Sequence, residues 1–436
     1  MRRALAAALA LPAALVLAGE GRAQGLGEGR ILAEVSQTFL ADSNFRLDDP
    51  SAGTTYLADT RFGLGYLTET PEQSLGLGFD TGLRALWEAE RDFDLTFASP
   101  TTARGDYRRE WASGALDAGL RFRLTEVDAD RPLADFIDPD TGEVVFPDDL
   151  DQVTRQVREY RYDANLGLAL ATDAPSSYEF NLVGTRFDYD QVTPDTTPRT
   201  NLRGNALWRL QATPVLAAAL FGSYVYFDSE NARDTLIQVG EIDAGVIYDP
   251  SPVLRIDFGV GYTQRSQRET RRGTRSTETD SGPAARFAVR YALDDVTFNA
   301  VLRYTDVTRG RPLTGELRAA YPLPRGRLTG RVFQRNTGSS LGNEVQITGA
   351  GLGLLHEINT VSSLELDLAA AYQVDQTAPF GDDVTRYDLT AVYSRAITET
   401  VSASLGYRFR AREEGPEEAT SNAVFVTIGR SFETRP

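Results

Sequence analysis

Residues 364–374 constrain this chain more than any other stretch. Leu364, Leu366, Leu368, Ala370, Tyr372 and Val374 alternate with Glu365, Asp367, Ala369, Ala371 and Gln373. Successive side chains of a strand point to opposite faces. One face here is greasy and ends in an aromatic; the other is charged or small. Segments of this kind recur about every twenty residues, each closed by a turn. A soluble sandwich would bury the greasy face in a core. A transmembrane barrel turns it to lipid and keeps the polar face for its lumen.

The N-terminus bears on that choice. Arg2 and Arg3 precede an apolar run from Ala4 to Ala18, and Gly21-Arg22-Ala23 offers small residues at both key positions of a cleavage site. Residues 1–23 therefore read as a secretory signal peptide, with a mature start at Gln24. No later stretch approaches the length of an apolar membrane helix. The chain has no cysteine, which excludes a disulfide framework, a thiolate metal site and a lipid-modified cysteine. An exported chain of this size without disulfides suits a bacterial envelope. The net charge of −17 argues against a nucleic-acid partner. Lysine is absent, so all 45 basic residues are arginine.

Two classes of connection alternate. Short turn signals occur at Thr70-Pro71-Glu72-Gln73, Asp173-Ala174-Pro175-Ser176, Thr213-Pro214, Asp249-Pro250-Ser251-Pro252, Asp294-Asp295, Pro324-Arg325-Gly326, Asn359-Thr360 and Thr398-Glu399. Longer polar stretches lie at 41–54, 98–105, 191–199, 228–232, 269–279, 307–311, 338–343, 377–383 and 413–419. Short turns on one side and longer loops on the other are the asymmetry of an outer-membrane barrel. Tyr66, Tyr178, Tyr248, Tyr291 and Tyr321 fall beside the short turns. Tyr160, Tyr162, Tyr226, Tyr262, Tyr304, Tyr372 and Tyr407 fall near the long loops. Two aromatic belts with apolar residues between them match the girdles of such barrels.

The pattern yields nineteen strand segments, with 106–124 read as one strand and 157–172 as the next. Both of these would run in the same direction, and bacterial barrels usually have an even strand count. A missing strand is therefore expected between 125 and 156, with 132–138 as its best candidate. The fold class expected is all-β, a single antiparallel up-and-down transmembrane barrel of about 20 strands over residues 24–436, with 18 as the alternative. In the last strand Val424, Val426, Ile428 and Phe432 share a face broken only by Arg430. This resembles the C-terminal recognition signal of outer-membrane barrels, with four extra residues after Phe432. The resemblance implies the barrel-assembly machinery as a partner, beside outer-membrane lipid and lipopolysaccharide.

The face opposite the greasy one gathers Arg84, Arg121, Arg123, Arg161, Arg203, Arg209, Arg255, Arg286, Arg290, Arg303, Arg318, Arg331, Arg408, Arg410 and Arg412. Asp80, Asp117, Glu159, Asp163, Asp257, Glu316, Glu365, Asp367 and Asp388 share it. One reading is a paired network that keeps the wall wet and rigid. The other is a path for anionic or sugar-like solutes, since arginine offers a planar fork to carboxylates and stacks on flat faces. Gly76, Gly78, Gly82, Gly119, Gly167, Gly259 and Gly261 on the same face are expected to leave the lumen open.

The insert 125–156 is acidic, with Glu126, Asp128, Asp130, Asp135, Asp138, Asp140, Glu143, Asp148, Asp149 and Asp151 set against one Arg131. It can be a solvated surface hairpin, a loop folded into the barrel against the wall arginines, or a calcium site; its spacing fits no EF-hand. Catalytic signatures are poor. The single histidine, His356, lies near the short-turn end of its strand, and Gly349, Gly351 and Gly353 carry no phosphate-loop context. The expectation is a protein that is no enzyme and holds no cofactor or metal.

The opening Glu34-Val35-Ser36-Gln37-Thr38-Phe39, the loop Asp42-Ser43-Asn44-Phe45 and the strand Thr60-Arg61-Phe62-Gly63-Leu64-Gly65-Tyr66 resemble the uncharacterised β-barrel porin families of proteobacteria. Those chains begin with a strand, an Asp/Ser/Asn loop and a Gly-rich second strand. The resemblance covers about the first seventy residues. It implies a pore or an export-linked barrel, in some families associated with envelope polysaccharide, and assigns no functional residue. Strand pattern begins within ten residues of the expected start at Gln24, so no plug domain is expected, which disfavours a TonB-dependent transporter. The expected function is a passive outer-membrane channel; the alternative is a structural or adhesive barrel with a blocked lumen.

Overall fold

A computed structural model describes residues 29–88, 93–97, 100–127, 157–192, 196–230, 234–271, 274–307, 313–338, 344–375 and 383–434. Twenty-one strands follow one another: β1 (Arg30–Asp42), β2 (Thr55–Glu69), β3 (Gln73–Trp87), β4 (Asp94–Phe97), β5 (Thr101–Trp111), β6 (Gly114–Val127), β7 (Val157–Leu170), β8 (Ser176–Tyr189), β9 (Arg199–Thr213) and β10 (Leu216–Ser229). The circuit continues through β11 (Thr235–Ser251), β12 (Leu254–Arg271), β13 (Thr274–Leu293), β14 (Val296–Thr305), β15 (Leu313–Leu323) and β16 (Gly326–Gly338). It ends with β17 (Glu344–Asn359), β18 (Ser362–Asp375), β19 (Val384–Ala396), β20 (Val401–Glu414) and β21 (Glu417–Thr434).

Consecutive strands pair antiparallel, save that β4 and β5 do not pair with each other, and β21 returns to pair with β1 from Ile31↔Thr434 to Asp42↔Ala423. The sheet is thus closed and has no free edge, the condition for sheet structure inside a bilayer. β4 and β5 both pair with β3, at Leu83–Leu86 and Gln73–Asp80 respectively, and together make one stave. The wall has 20 staves, as the parity of the sequence pattern requires.

The route to that number differs from the expected one. Segment 106–124 is a hairpin: β5 and β6 turn at Ala112-Ser113 and pair from Trp111↔Gly114 onward. β6 then pairs directly with β7, out to Val127↔Val157, so no wall strand lies between them. Residues 132–138, like the expected signal peptide 1–23 and the body of the acidic insert, lie outside the described residues. The loops also contract. β12 and β13 remain paired to Arg271↔Thr274, and β20 and β21 to Glu414↔Glu417, where Gly415 takes a positive φ of 54°. Stretches 269–279 and 413–419 are therefore mostly strand, and Thr101–Gly105 of the expected 98–105 loop belongs to β5.

The register gives each strand one inward and one outward parity. All twelve girdle tyrosines fall on the outward parity, joined by Trp87 at the long-loop end and Trp111 and Trp208 at the short-turn end. Between the belts the outer face carries exposed Phe62, Leu64, Phe79, Leu182, Phe258, Val260, Leu302, Val332, Leu352 and Leu368. A strand of 14 residues such as β18 spans roughly 35 Å along the barrel axis when tilted about 40°. That is enough to cross a hydrocarbon core of about 30 Å. The chain is an outer-membrane β-barrel.

Candidate functional site: the inner wall

The inward parity collects every wall residue expected from the sequence. Many of its charges pair along a single strand at i, i+2, because alternate residues share a face. Arg161 donates to Asp163 at 2.9 Å, Arg255 to Asp257 at 2.9 Å and Arg318 to Glu316 at 2.5 Å. Arg331 reaches the same Glu316 at 2.6 Å, Arg84 and Arg61 share Asp59, and Arg209 meets Asp249 at 2.8 Å. These dyads are the paired-network reading made concrete.

Pairing is incomplete on the basic side. Six rungs of the inner face set arginine directly opposite arginine: Arg104–Arg121, Arg123–Arg161, Arg255–Arg290, Arg286–Arg303, Arg318–Arg331 and Arg386–Arg412. Among the described residues, Arg121, Arg286, Arg290 and Arg303 form no ion pair with a carboxylate. Arg121 stands opposite Asp163, whose carboxylate is taken by Arg161. One rung runs unbroken across five strands as Arg255, Arg290, Asn299, Arg318 and Arg331. Four inter-strand spacings make this track about 19 Å long. Strand tilt inclines it to the membrane plane, so it climbs from near the short-turn end of β12 toward mid-wall on β16.

Aromatic residues also enter the lumen. Phe187 lies between Arg161 and Arg199, whose guanidinium carbons stand 5.3 and 4.4 Å from its centroid. Phe221 carries Arg286 at 4.6 Å, Phe333 carries Arg331 and Arg335, and Phe425 carries Arg408 at 5.9 Å. Stacking holds the guanidinium planes against the wall. The parity of the sequence already places these four rings inward. Three apolar clusters back three of these rings: Phe333 with Ile347, Ala371 and Val384; Leu40 with Leu57, Leu86 and Ala423, against which Phe425 packs; and Phe221 with Ala217, Ala219 and Ile247.

At the long-loop mouth, Asp42 and Arg410 form a pair that is 1% and 3% exposed. Arg410 donates to Asp42 at 3.0 Å and to the Phe45 carbonyl at 3.0 Å. The Ser421 hydroxyl donates to the other Asp42 oxygen, and the Asn44 amide reaches it at 2.9 Å. Phe45 packs on the Leu40–Leu57–Leu86 cluster, and Arg46 pairs with Glu88 at 2.9 Å. The β1–β2 loop is therefore tucked against the inner wall of β20 and β21. This is the Asp42-Ser43-Asn44-Phe45 stretch of the resemblance.

Of the ten arginines expected to line the path, Arg161, Arg255, Arg318 and Arg410 are ion-paired and Arg408 is stacked. Arg121, Arg290 and Arg303 stand on opposed-arginine rungs without ion pairs, Arg123 stands opposite Arg161, and Arg203 lies opposite Val183 and Val225. His356 points outward near the short-turn end of β17 and is exposed. Acids Asp128, Asp130, Asp138, Asp140, Asp148, Asp149 and Asp151 of the insert lie outside the described residues. No metal-holding group of three or more ligands occurs among the described residues.

Fold and wall together define the class, a 20-stave outer-membrane barrel with a charged lumen. The sequence matches no protein-family profile and no curated protein. Solved structures with a similar course include the FrpB iron transporter from Neisseria meningitidis. It is 8% identical with a TM-score of 0.48, over 94% of this chain and 83% of that one. The copper transporter OprC is 10% identical with a TM-score of 0.44, over 92% and 80%. The ferric-catecholate import receptor Fiu from E. coli is 8% identical with a TM-score of 0.45, over 92% and 81%.

Proposed function

We propose that the barrel is a passive outer-membrane channel for small hydrophilic solutes, with anionic and sugar-like ones favoured. The observation that carries this reading is the inner wall itself: one parity of all 20 staves, rich in arginine, with six opposed-arginine rungs against which no internal acid–acid rung is set. Among the described residues, opposed acids occur only at the β20–β21 tip, as Glu413–Glu418 and Glu414–Glu417. Arginines that stand in a row without a carboxylate partner attract anions and repel cations along a narrow aqueous path. Export of an envelope polysaccharide is one use of such a path. Outer-membrane lipid, lipopolysaccharide and the barrel-assembly machinery are its proposed partners.

The competing reading is a structural or adhesive barrel with a filled lumen. It draws on the inward apolar clusters and the tucked β1–β2 loop. Single-channel recording of the refolded protein in planar bilayers separates the two. A pore gives ohmic steps and an anion-selective reversal potential in a potassium chloride gradient. Protein that migrates on gels as a folded, heat-modifiable barrel yet gives no conductance refutes the channel.

A further inference from the structure

We infer that the Arg255–Arg290 and Arg286–Arg303 rungs of β12–β14 form a binding site for dianions such as phosphate or a small dicarboxylate. The site rests on the channel reading in one respect: the lumen admits water and solutes.

Like charges directly opposite one another destabilise an antiparallel pair. The chain places two such rungs four residues apart on β13, at Arg286 and Arg290. Local acids discharge them only in part. Asp257 is committed to Arg255 at 2.9 Å, Asp243 and Glu241 of β11 lie within electrostatic reach of Arg286 and Arg303 without forming an ion pair with either, and Glu316 is held by Arg318 and Arg331. Arg286, Arg290 and Arg303 have no ion pair among the described residues. Arg290 is exposed to the lumen. Arg286 is held flat on Phe221 at 4.6 Å, which fixes its plane without neutralising it. The rung between the two pairs holds Asp257, Ala288 and Val301, so the one carboxylate between them is the one already paired with Arg255.

Opposed residues have Cβ atoms about 5 Å apart. Two guanidinium forks at that spacing converge on one small anion and offer it several N–H donors. A monoanion such as chloride answers one fork, whereas a dianion with several oxygens answers both, with charge-assisted hydrogen bonds on each side. A neutral sugar leaves the repulsion in place. The chemistry therefore selects for two negative charges on a compact group.

The test is phosphorus-31 NMR titration of inorganic phosphate into the barrel folded in a phosphate-free detergent. Chloride and succinate serve as competitors. Succinate should displace phosphate at much lower concentration than chloride does. Arg290→Gln and Arg303→Gln, each checked for heat-modifiable migration, should each weaken phosphate about tenfold, the size expected for one charge-assisted contact. Arg186→Gln, on the outward parity of β8 and paired with Asp188, should leave it unchanged. Equal phosphate affinity in wild type and both β13–β14 variants overturns the site, even where bilayers show conductance. Binding lost in Arg290→Gln from a barrel that never conducts keeps the site and refutes the channel instead. Phosphate displaced equally well by chloride and succinate refutes the dianion class.

Discussion

Replacing Asp42 with alanine probes the packing of the mouth. The Asp42 carboxylate accepts from Arg410 at 3.0 Å, from the Asn44 amide at 2.9 Å and from the Ser421 hydroxyl, and almost no solvent reaches any of them. Removing one partner of a buried ion pair costs about 3–5 kcal/mol, because the remaining charge stays desolvated. Arg410 retains the Asn44 and Phe45 carbonyls, at 3.4 and 3.0 Å, which offset part of that loss and place the expectation near 3 kcal/mol. Guanidinium unfolding in detergent, followed by the fluorescence of the three tryptophans, measures it. Adding Arg410→Met should recover much of the loss, since no unpaired charge then remains buried. The loop should also loosen: Arg46, tethered to Glu88, should become a trypsin cleavage site in intact cells only in the Asp42 variant. A cost below about 1 kcal/mol, or losses that simply add in the double variant, would refute the buried-pair account.

Leu368 stands midway along β18 on the outward face, so Leu368→Arg should destabilise the barrel by about 2–4 kcal/mol in the same unfolding assay. Gly167→Arg faces the lumen, where an added Cβ stands 3.6 Å from that of Asp117, and should be the milder change. The reverse order would invert the faces. Gly259 is a poor lumen control, since a Cβ there meets the Asp243 Cβ at 3.2 Å. Deleting residues 132–150 should leave a folded, heat-modifiable barrel, because β6 and β7 pair without them. Loss of heat modifiability in that deletion would show that the wall needs the insert. Changing Asp138, Asp140, Asp148 and Asp149 to Asn leaves ion selectivity unchanged if the insert is a surface hairpin and shifts it toward anions if the insert enters the pore.

What the sequence showed and hid follows from where alternation survives. Between the aromatic belts lipid demands apolar residues on every second position, and there the faces, the girdles and the inner arginines were all legible. At Trp111-Ala112-Ser113-Gly114 the turn carries no Pro, Asn or Asp, so 106–124 read as one strand. Above the membrane both faces meet water, alternation vanishes, and the paired extension of β12 and β13 read as loop. The inward Phe187, Phe221, Phe333 and Phe425 were visible by parity, though masked by the habit of placing aromatics outside. The Asp42–Arg410 pair joins residues 368 positions apart and has no local signal.

The seam where β1 meets β21 has a consequence for the bore of the pore. In a closed sheet, the register at the closing strand pair sets the shear, and shear with strand number sets tilt and diameter. Apolar alternation tolerates a slip of two residues there, since it leaves every face unchanged. Asp42 would then stand opposite Phe425 or Ser421 in place of Ala423, and its contacts with Arg410, Ser421 and Asn44 could not all be made. This buried polar knot accepts one register only. It works as a gauge that fixes how wide the cylinder closes, written in a handful of atoms at its rim.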